Sequence, residues 1–464
     1  MEGYTKKLAS YCSKLKYKAI PEKIVERMKW VILDNLGNIV GGTAIDFGKS
    51  IAEFTRGLGD RAEATVLGFG FKTSARNAGF ANGSIAEILE MQDGYTKGGY
   101  HPCSGTVSAS LAMAEWQKTS GKDFITAVVV GYEVGNRVAE AMHPSHLFKG
   151  FLPTGSVGAI GAAAAAAKVL QLDERGTFNA LGIAGFILPV CTGDNNFGRG
   201  EYGDYTVKPV QGGAAAKSGI ESALLAKQGL NAAALEGDSK VQKGFCRIVM
   251  DGPPKFEQSI EGLGKDYRRI EELYFKPYAS CRMNHAPADV ALELRNQYGL
   301  KPEDIEEILI KTYSFAVQST GTRKTDTKSS FMACQFSMSY VVAAALIDGE
   351  FGLNQLTEQR IRDPKIHKLA SKVKVVVDPE LEKIYPANRP AIVEIMAKDG
   401  KKFTGRADFA KGDHRKPMTE EECVAKFLGL TVGVLGEKKA KKAMYTVLDL
   451  ENLDSVVKLI GCLK

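Results

Sequence analysis

Asp93, Lys97 and His101 lie close together in the turn-rich segment MQDGYTKGGYHPC. Histidine exchanges protons near neutral pH, a carboxylate accepts them, and a lysine neutralises anionic charge, so the group suits acid–base chemistry on an anion. The glycines of this loop let the chain bend tightly and bring backbone close to a bound molecule. Pro102 fits the first turn of the helix predicted to follow, and helix N-termini favour anions. A second cluster, FKPYASCRMNHAPAD over residues 275–289, gathers Lys276, Tyr278, Cys281, Arg282 and His285. Its cationic groups predict a carboxylate clamp, the arginine as a bidentate fork and the lysine as a point charge. Three further positions have plainer readings beside the functional one. Thr154 in KGFLPTG is placed to cap a helix, Lys208 in DYTVKPVQGG reads most simply as a surface lysine, and Arg389 in YPANRPAIVEI as part of a solvated turn.

These residues need elements to hold them. From the start to about residue 265 nearly every segment has helical spacing, beginning with PEKIVERMKWVILDNLGNIVGG, opened by Pro21 and stopped by Gly41 and Gly42. SARNAGFANGSIAEILEM, SGTVSASLAMAEWQKTS and TGSVGAIGAAAAAAKVLQL are rich in Ala, Gly and Ser, which predicts helices in close approach. Composition changes near Pro277. Residues 302–313 read as a turn and a strand, 373–379 as a strand, and 391–409 as a hairpin turning at Asp399-Gly400. SMSYVVAAALIDG and TEQRIRDPKIHKLASKV between them read as helices, so this region is a small α+β unit. MTEEECVAKFLGLTVG returns to helix. The expected fold is mainly α: an all-helical domain over 1–269 and 406–464, and an α+β lid over 270–405.

A chain of 464 residues exceeds the usual size of one core, consistent with two domains. The net charge of +7, from 61 basic and 54 acidic residues, is too dispersed for a nucleic-acid footprint and compatible with an anionic small substrate. Eight scattered cysteines lack metal-ligand spacing and point to reduced thiols in the cytoplasm, with no metal site. The run VGAIGAAAAAA is half the length of a membrane span, so no membrane partner is expected. No dinucleotide fingerprint, Walker loop, GxSxG elbow or HExxH motif occurs, which leaves cofactor-free acid–base chemistry.

The segments ANGSIAEILEMQDGYTKGGYHPCSGTVSASLAMAE, HPSHLFKGFLPTGSVGAIGAAAAAAKVL, KPYASCRMNHAPADVALEL and KGDHRKPMTEEECVAKF resemble the MmgE/PrpD superfamily, which includes 2-methylcitrate dehydratase, cis-aconitate decarboxylase and iminodisuccinate epimerase. The resemblance implies a helical domain built from both chain ends, a smaller α+β lid, an active site between them and a homodimer. It places its acid, His-Pro, lysine and KPY…R..H pattern on Asp93, His101, Lys208, Lys276, Arg282 and His285; together with the residue reading, this gives catalytic roles to Asp93, His101, Lys208 and His285 and substrate binding to Lys276, Arg282, Thr154 and Cys281. It also shows departures: Leu152 and Gln211 stand where many relatives carry histidine, and Cys281 where some carry another. The implied activity is a cofactor-independent lyase, a dehydratase or decarboxylase of a small di- or tricarboxylate. Epimerisation of a dicarboxylate and silent carboxylate binding are the alternatives.

Overall fold

The structure is a computed structural model and describes residues 3–195, 199–237, 241 and 243–464. It is mainly α. Helices Pro102–Gln117, Gly121–Met142, Pro153–Val169 and Val210–Lys227 pack on one another at the centre of the larger body. Their small residues are what permit this. A Cβ built on Gly219 would lie 2.4 Å from the Ala162 Cβ, so any side chain there would force the helices apart. Helix Pro102–Gln117 is buried on every side from Pro102 to Glu115, which explains why its sequence has no polar face.

The chain ends meet. Helix Glu420–Leu435 packs against helix Glu22–Gly42, with Phe427 and Leu430 seated over Gly37 and Gly41. Lys426 on the former donates to Asp34 at 2.5 Å and to the Met91 carbonyl at 2.6 Å, tying this return helix to the loop that carries Asp93 and His101. No helix among the described residues is long and apolar enough to cross a membrane.

The α+β part holds a four-stranded sheet of β1 (Ile305–Thr312), β2 (Val373–Val377), β3 (Ala391–Ala397) and β4 (Lys402–Ala407), in the order β2-β1-β3-β4. β1 and β2 run parallel, while β1-β3 and β3-β4 are antiparallel. Helix His285–Tyr298 covers β3 and β4 and packs against helix Met338–Asp348. β4 extends two residues past the lid edge expected at 405.

Three local expectations differ from the structure. The helix beginning at Ala75 ends at Ile85 and does not continue to Met91, because the chain breaks into turns and Glu90 takes a left-handed φ of 53°. TEQRIRDPKIHKLASKV divides into Glu358–Ile361 and Pro364–Ala370, since Asp363 caps the second helix by accepting from the Lys365 amide at 2.8 Å and Pro364 starts it. The body is not purely helical: residue pairs 64–65 with 72–73, and 199–200 with 203–204, form short antiparallel ladders.

Candidate active site

His101 is the extended residue before Pro102, and proline at the first helical position fixes that geometry. The His101 backbone amide donates to Thr154 Oγ1 at 3.0 Å, and its ring Nδ1 lies 2.6 Å from the Asp93 carbonyl. A carbonyl only accepts, so Nδ1 carries the proton and Nε2 presents a lone pair. Burial, reinforced by Lys276 and Lys208, holds the His101 pKa well below its usual 6.5, so the ring is neutral.

His101 lines a cavity of about 690 Å³, counting its open mouth, between the helical body and the sheet-bearing part. Thr154, Lys208, Gln211, Cys281, Arg282 and Arg389 share the wall, as do Glu90, Leu147, Leu152, Tyr274, Tyr313, Phe315, Phe336 and Tyr385. Two segments meet at this site through a small ladder: Gly94 N donates to the Tyr274 carbonyl at 3.1 Å and Tyr274 N to the Gly94 carbonyl at 3.0 Å. Gly94 is required there, since a Cβ would fall 2.2 Å from the Tyr274 hydroxyl oxygen.

The floor is a buried charge network. Lys208 donates to Glu87 at 2.8 Å and to Glu90, and Lys276 donates to the other Glu90 oxygen at 2.9 Å. Glu87 also accepts from Ser104 at 2.6 Å and from Gln211 Nε2 at 2.9 Å. Burial alone would raise the Glu90 carboxyl, but Lys208 and then Lys276 outweigh it and bring the pKa down to about 2. Burial likewise opposes the charge on Lys208, while Glu87 and Glu90 hold it protonated, so its pKa is raised. Lys208 is thus no surface lysine: it is 4% exposed and locked between two glutamates.

The opposite wall is arranged differently. Arg282 donates to the carbonyls of Lys411 at 2.8 Å and Ala410 at 3.2 Å, and its guanidinium lies 4.5 Å from the centre of the Tyr274 ring. Arg389 lies 5.8 Å from the same ring. It belongs to the cavity and not to a solvated turn. Tyr313, also on the wall, is 1% exposed and its hydroxyl has no hydrogen-bond partner among the described residues.

Of the residues singled out in the sequence, His101, Thr154, Lys208, Cys281 and Arg282 line the cavity together. Asp93, Lys276 and His285 stand behind it. Asp93 is fully buried, accepting from Tyr132 at 2.8 Å and from the Cys103 amide at 3.2 Å, and burial lifts its pKa to about 6. Its link to the cavity is the carbonyl that orients His101. His285 donates through Nε2 to the Ser280 carbonyl at 3.1 Å and accepts at Nδ1 from Arg282 at 3.3 Å, so it braces the arginine. Glu87, Glu90 and Tyr313 received no role from the sequence, and Arg389 was read chiefly as part of a solvated turn. The available signal was the pair of acids in the apolar run SIAEILEM, since a buried carboxylate requires a cation.

Among the described residues no group of three or more His, Cys, Asp or Glu side chains could hold a metal ion. All eight cysteines are free thiols.

Residues 6–257 match the MmgE/PrpD N-terminal domain and residues 278–452 the MmgE/PrpD C-terminal domain. The chain is 28% identical to a cis-aconitate decarboxylase of Aspergillus terreus, over 99% of this chain and 96% of that protein. It is 26% identical to the cis-aconitate decarboxylase of Homo sapiens, covering 100% and 95%, and 27% identical to that of Mus musculus, covering 100% and 94%.

Proposed function

This chain belongs to the MmgE/PrpD family and is a lyase of that kind, and from that premise we propose that it acts on a small carboxylate by proton abstraction at carbon, without a cofactor. The observation that carries the reading is the neutral His101 ring, pinned through Nδ1 so that Nε2 is a proton acceptor on a cavity wall shared with Arg282 and Arg389. The arginines hold the substrate carboxylates and stabilise enolate-like charge as Nε2 removes the adjacent proton. Collapse of that charge forms the C=C bond and expels hydroxide. The Tyr313 hydroxyl, which has no partner among the described residues, is the donor suited to protonate it. Asp93 and His285 serve by orienting His101 and Arg282, while the floor lysines and glutamates hold one another in place beneath the cavity.

Decarboxylation is the second reading, favoured by the names of the relatives. There the same cations hold the carbanion left when carbon dioxide departs, and a His101 protonated in the presence of bound anionic substrate returns the proton. Incubating purified protein with hydroxy di- and tricarboxylates and with cis-aconitate separates the two. New alkene absorbance without carbon dioxide is the expected result; carbon dioxide from cis-aconitate selects decarboxylation, and binding without turnover of any compound overturns the enzymatic reading. By the same family membership we propose a homodimer, measurable by sedimentation.

A further inference from the structure

The cavity's charges do not sum evenly. On the floor, Glu87 and Glu90 face Lys208 and Lys276, two anions against two cations, so this network offers little net charge to a ligand. Arg282 and Arg389 are different: neither pairs with a carboxylate among the described residues, and both are fixed over Tyr274 on the lid side. The site therefore presents two uncompensated cations. Much of the remaining wall is hydrocarbon, including Leu147, Leu152, Phe315 and Phe336. Phe148, 58% exposed at the mouth, meets Phe315 edge-on at 6.0 Å; Phe315 stacks near Tyr385 at 6.3 Å, and Tyr385 on Tyr313 at 4.3 Å. An aromatic row thus leads from the mouth to the buried Tyr313.

We infer that the substrate is a dicarboxylate bearing an apolar substituent, its two carboxylates on Arg282 and Arg389 and its alkyl or aryl group along Leu152 and the aromatic row. The inference rests on the cavity being a carboxylate-binding active site. A third carboxylate set against Leu152 and Phe315 would lose its hydration with no cation to replace it. An alkyl group in the same place gains affinity by about fourfold per buried methylene.

The test is calorimetric titration of the full chain with succinate, methylsuccinate, butylsuccinate and propane-1,2,3-tricarboxylate. The inference expects butylsuccinate to bind at least about tenfold tighter than succinate, and the tricarboxylate no tighter than succinate. Phe315→Ala, at a partly exposed position, and Leu152→His should each cut the ratio of butylsuccinate to succinate affinity to below about threefold. A tricarboxylate that binds tightest, or a flat alkyl series, overturns the inference and leaves the carboxylate site standing. If none of the four binds, or Arg389→Gln binds them as well as the wild type does, the carboxylate site itself fails and the inference with it.

Discussion

The floor and the lid wall of the cavity each carry two cations, held in opposite ways. Lys208 and Lys276 are locked onto Glu87 and Glu90 with little or no exposure. Arg282 is held by two backbone carbonyls and a tyrosine face, and Arg389 by its tyrosine surroundings, so among the described residues neither guanidinium is spent on a carboxylate. A buried ion pair positions its own members, because separating them would strand a charge in low dielectric. A guanidinium supported by neutral groups keeps its charge for a ligand. The two histidines follow the same division. Both are neutral and both tie one ring nitrogen to a carbonyl, but His101 opens onto the cavity while His285 faces the back of Arg282. We therefore assign Lys276, read in the sequence as a clamp residue, to the floor, and the clamp to Arg282 and Arg389.

The largest effect that could break this comparison lies on the floor. Lys208→Met leaves Glu87 without a cation and Glu90 with Lys276 alone, and stability should fall by about 3–5 kcal/mol, read by denaturant unfolding. A variant that unfolds at the wild-type midpoint would mean that the glutamates are solvated or protonated, and the floor would no longer be a closed network.

Next comes the proposed base, His101. His101→Asn keeps the size and one hydrogen bond to the Asp93 carbonyl, so folding and KM should survive while kcat drops on the order of 10²-fold or more. His285→Gln should instead change kcat little and raise KM, because it reaches the cavity through Arg282. Equal losses of kcat in the two variants would erase the distinction drawn between the histidines.

On the lid wall, Arg389→Gln should raise KM about tenfold or more with an unchanged melting temperature, since no ion pair is broken. Arg389→Lys should recover only part of the loss, because an ammonium cannot make the forked contact. A melting temperature that falls with the charge would place Arg389 in a structural network like that of Lys208.

The sequence exposed one half of this contrast better than the other. His101-Pro102 was legible because a histidine, a glycine loop and a proline at a helix start are local signals. Arg282 stood out for the same reason, sitting in a dense polar cluster. Lys208 read as a surface residue because its partners Glu87 and Glu90 lie far away in the chain, and no local pattern reports a pairing made by tertiary packing. Arg389 was misread for a related reason, as the tyrosines around it come from residues 274, 313 and 385. The sheet was legible from alternation and the Asp399-Gly400 turn. The early end of the Ala75 helix was not, since apolar spacing continues through Leu89 while Glu90 turns left-handed to aim its carboxylate at the lysines.

The smallest expected effect is on pH. The proposed mechanism needs neutral His101, whose pKa burial holds well below 6.5 in the free enzyme, so kcat/KM should change by less than about twofold between about pH 8 and pH 6.5. Stability responds over a lower window. The unfolded chain takes up protons on its histidines near 6.5, whereas burial keeps His101 and His285 well below that value and holds His143 at about 3 and His146 at about 4. Folded pKa values below the unfolded ones mean that these four groups cost nothing above pH 6.5 and remove stability progressively below it. Asp93 works the other way: raised to about 6, it binds a proton in the folded state before the unfolded state does, which returns some stability between about 6 and its usual 3.8. Burial also raises Asp34 and Glu133, but the four histidines outnumber these acids and give a melting temperature that falls as pH drops from 6.5 to 5. A kcat/KM profile with an acid limb near 6.5 would show that His101 titrates as an exposed imidazole does, and the contrast between an open, neutral base and a closed, charged floor would lose its first term.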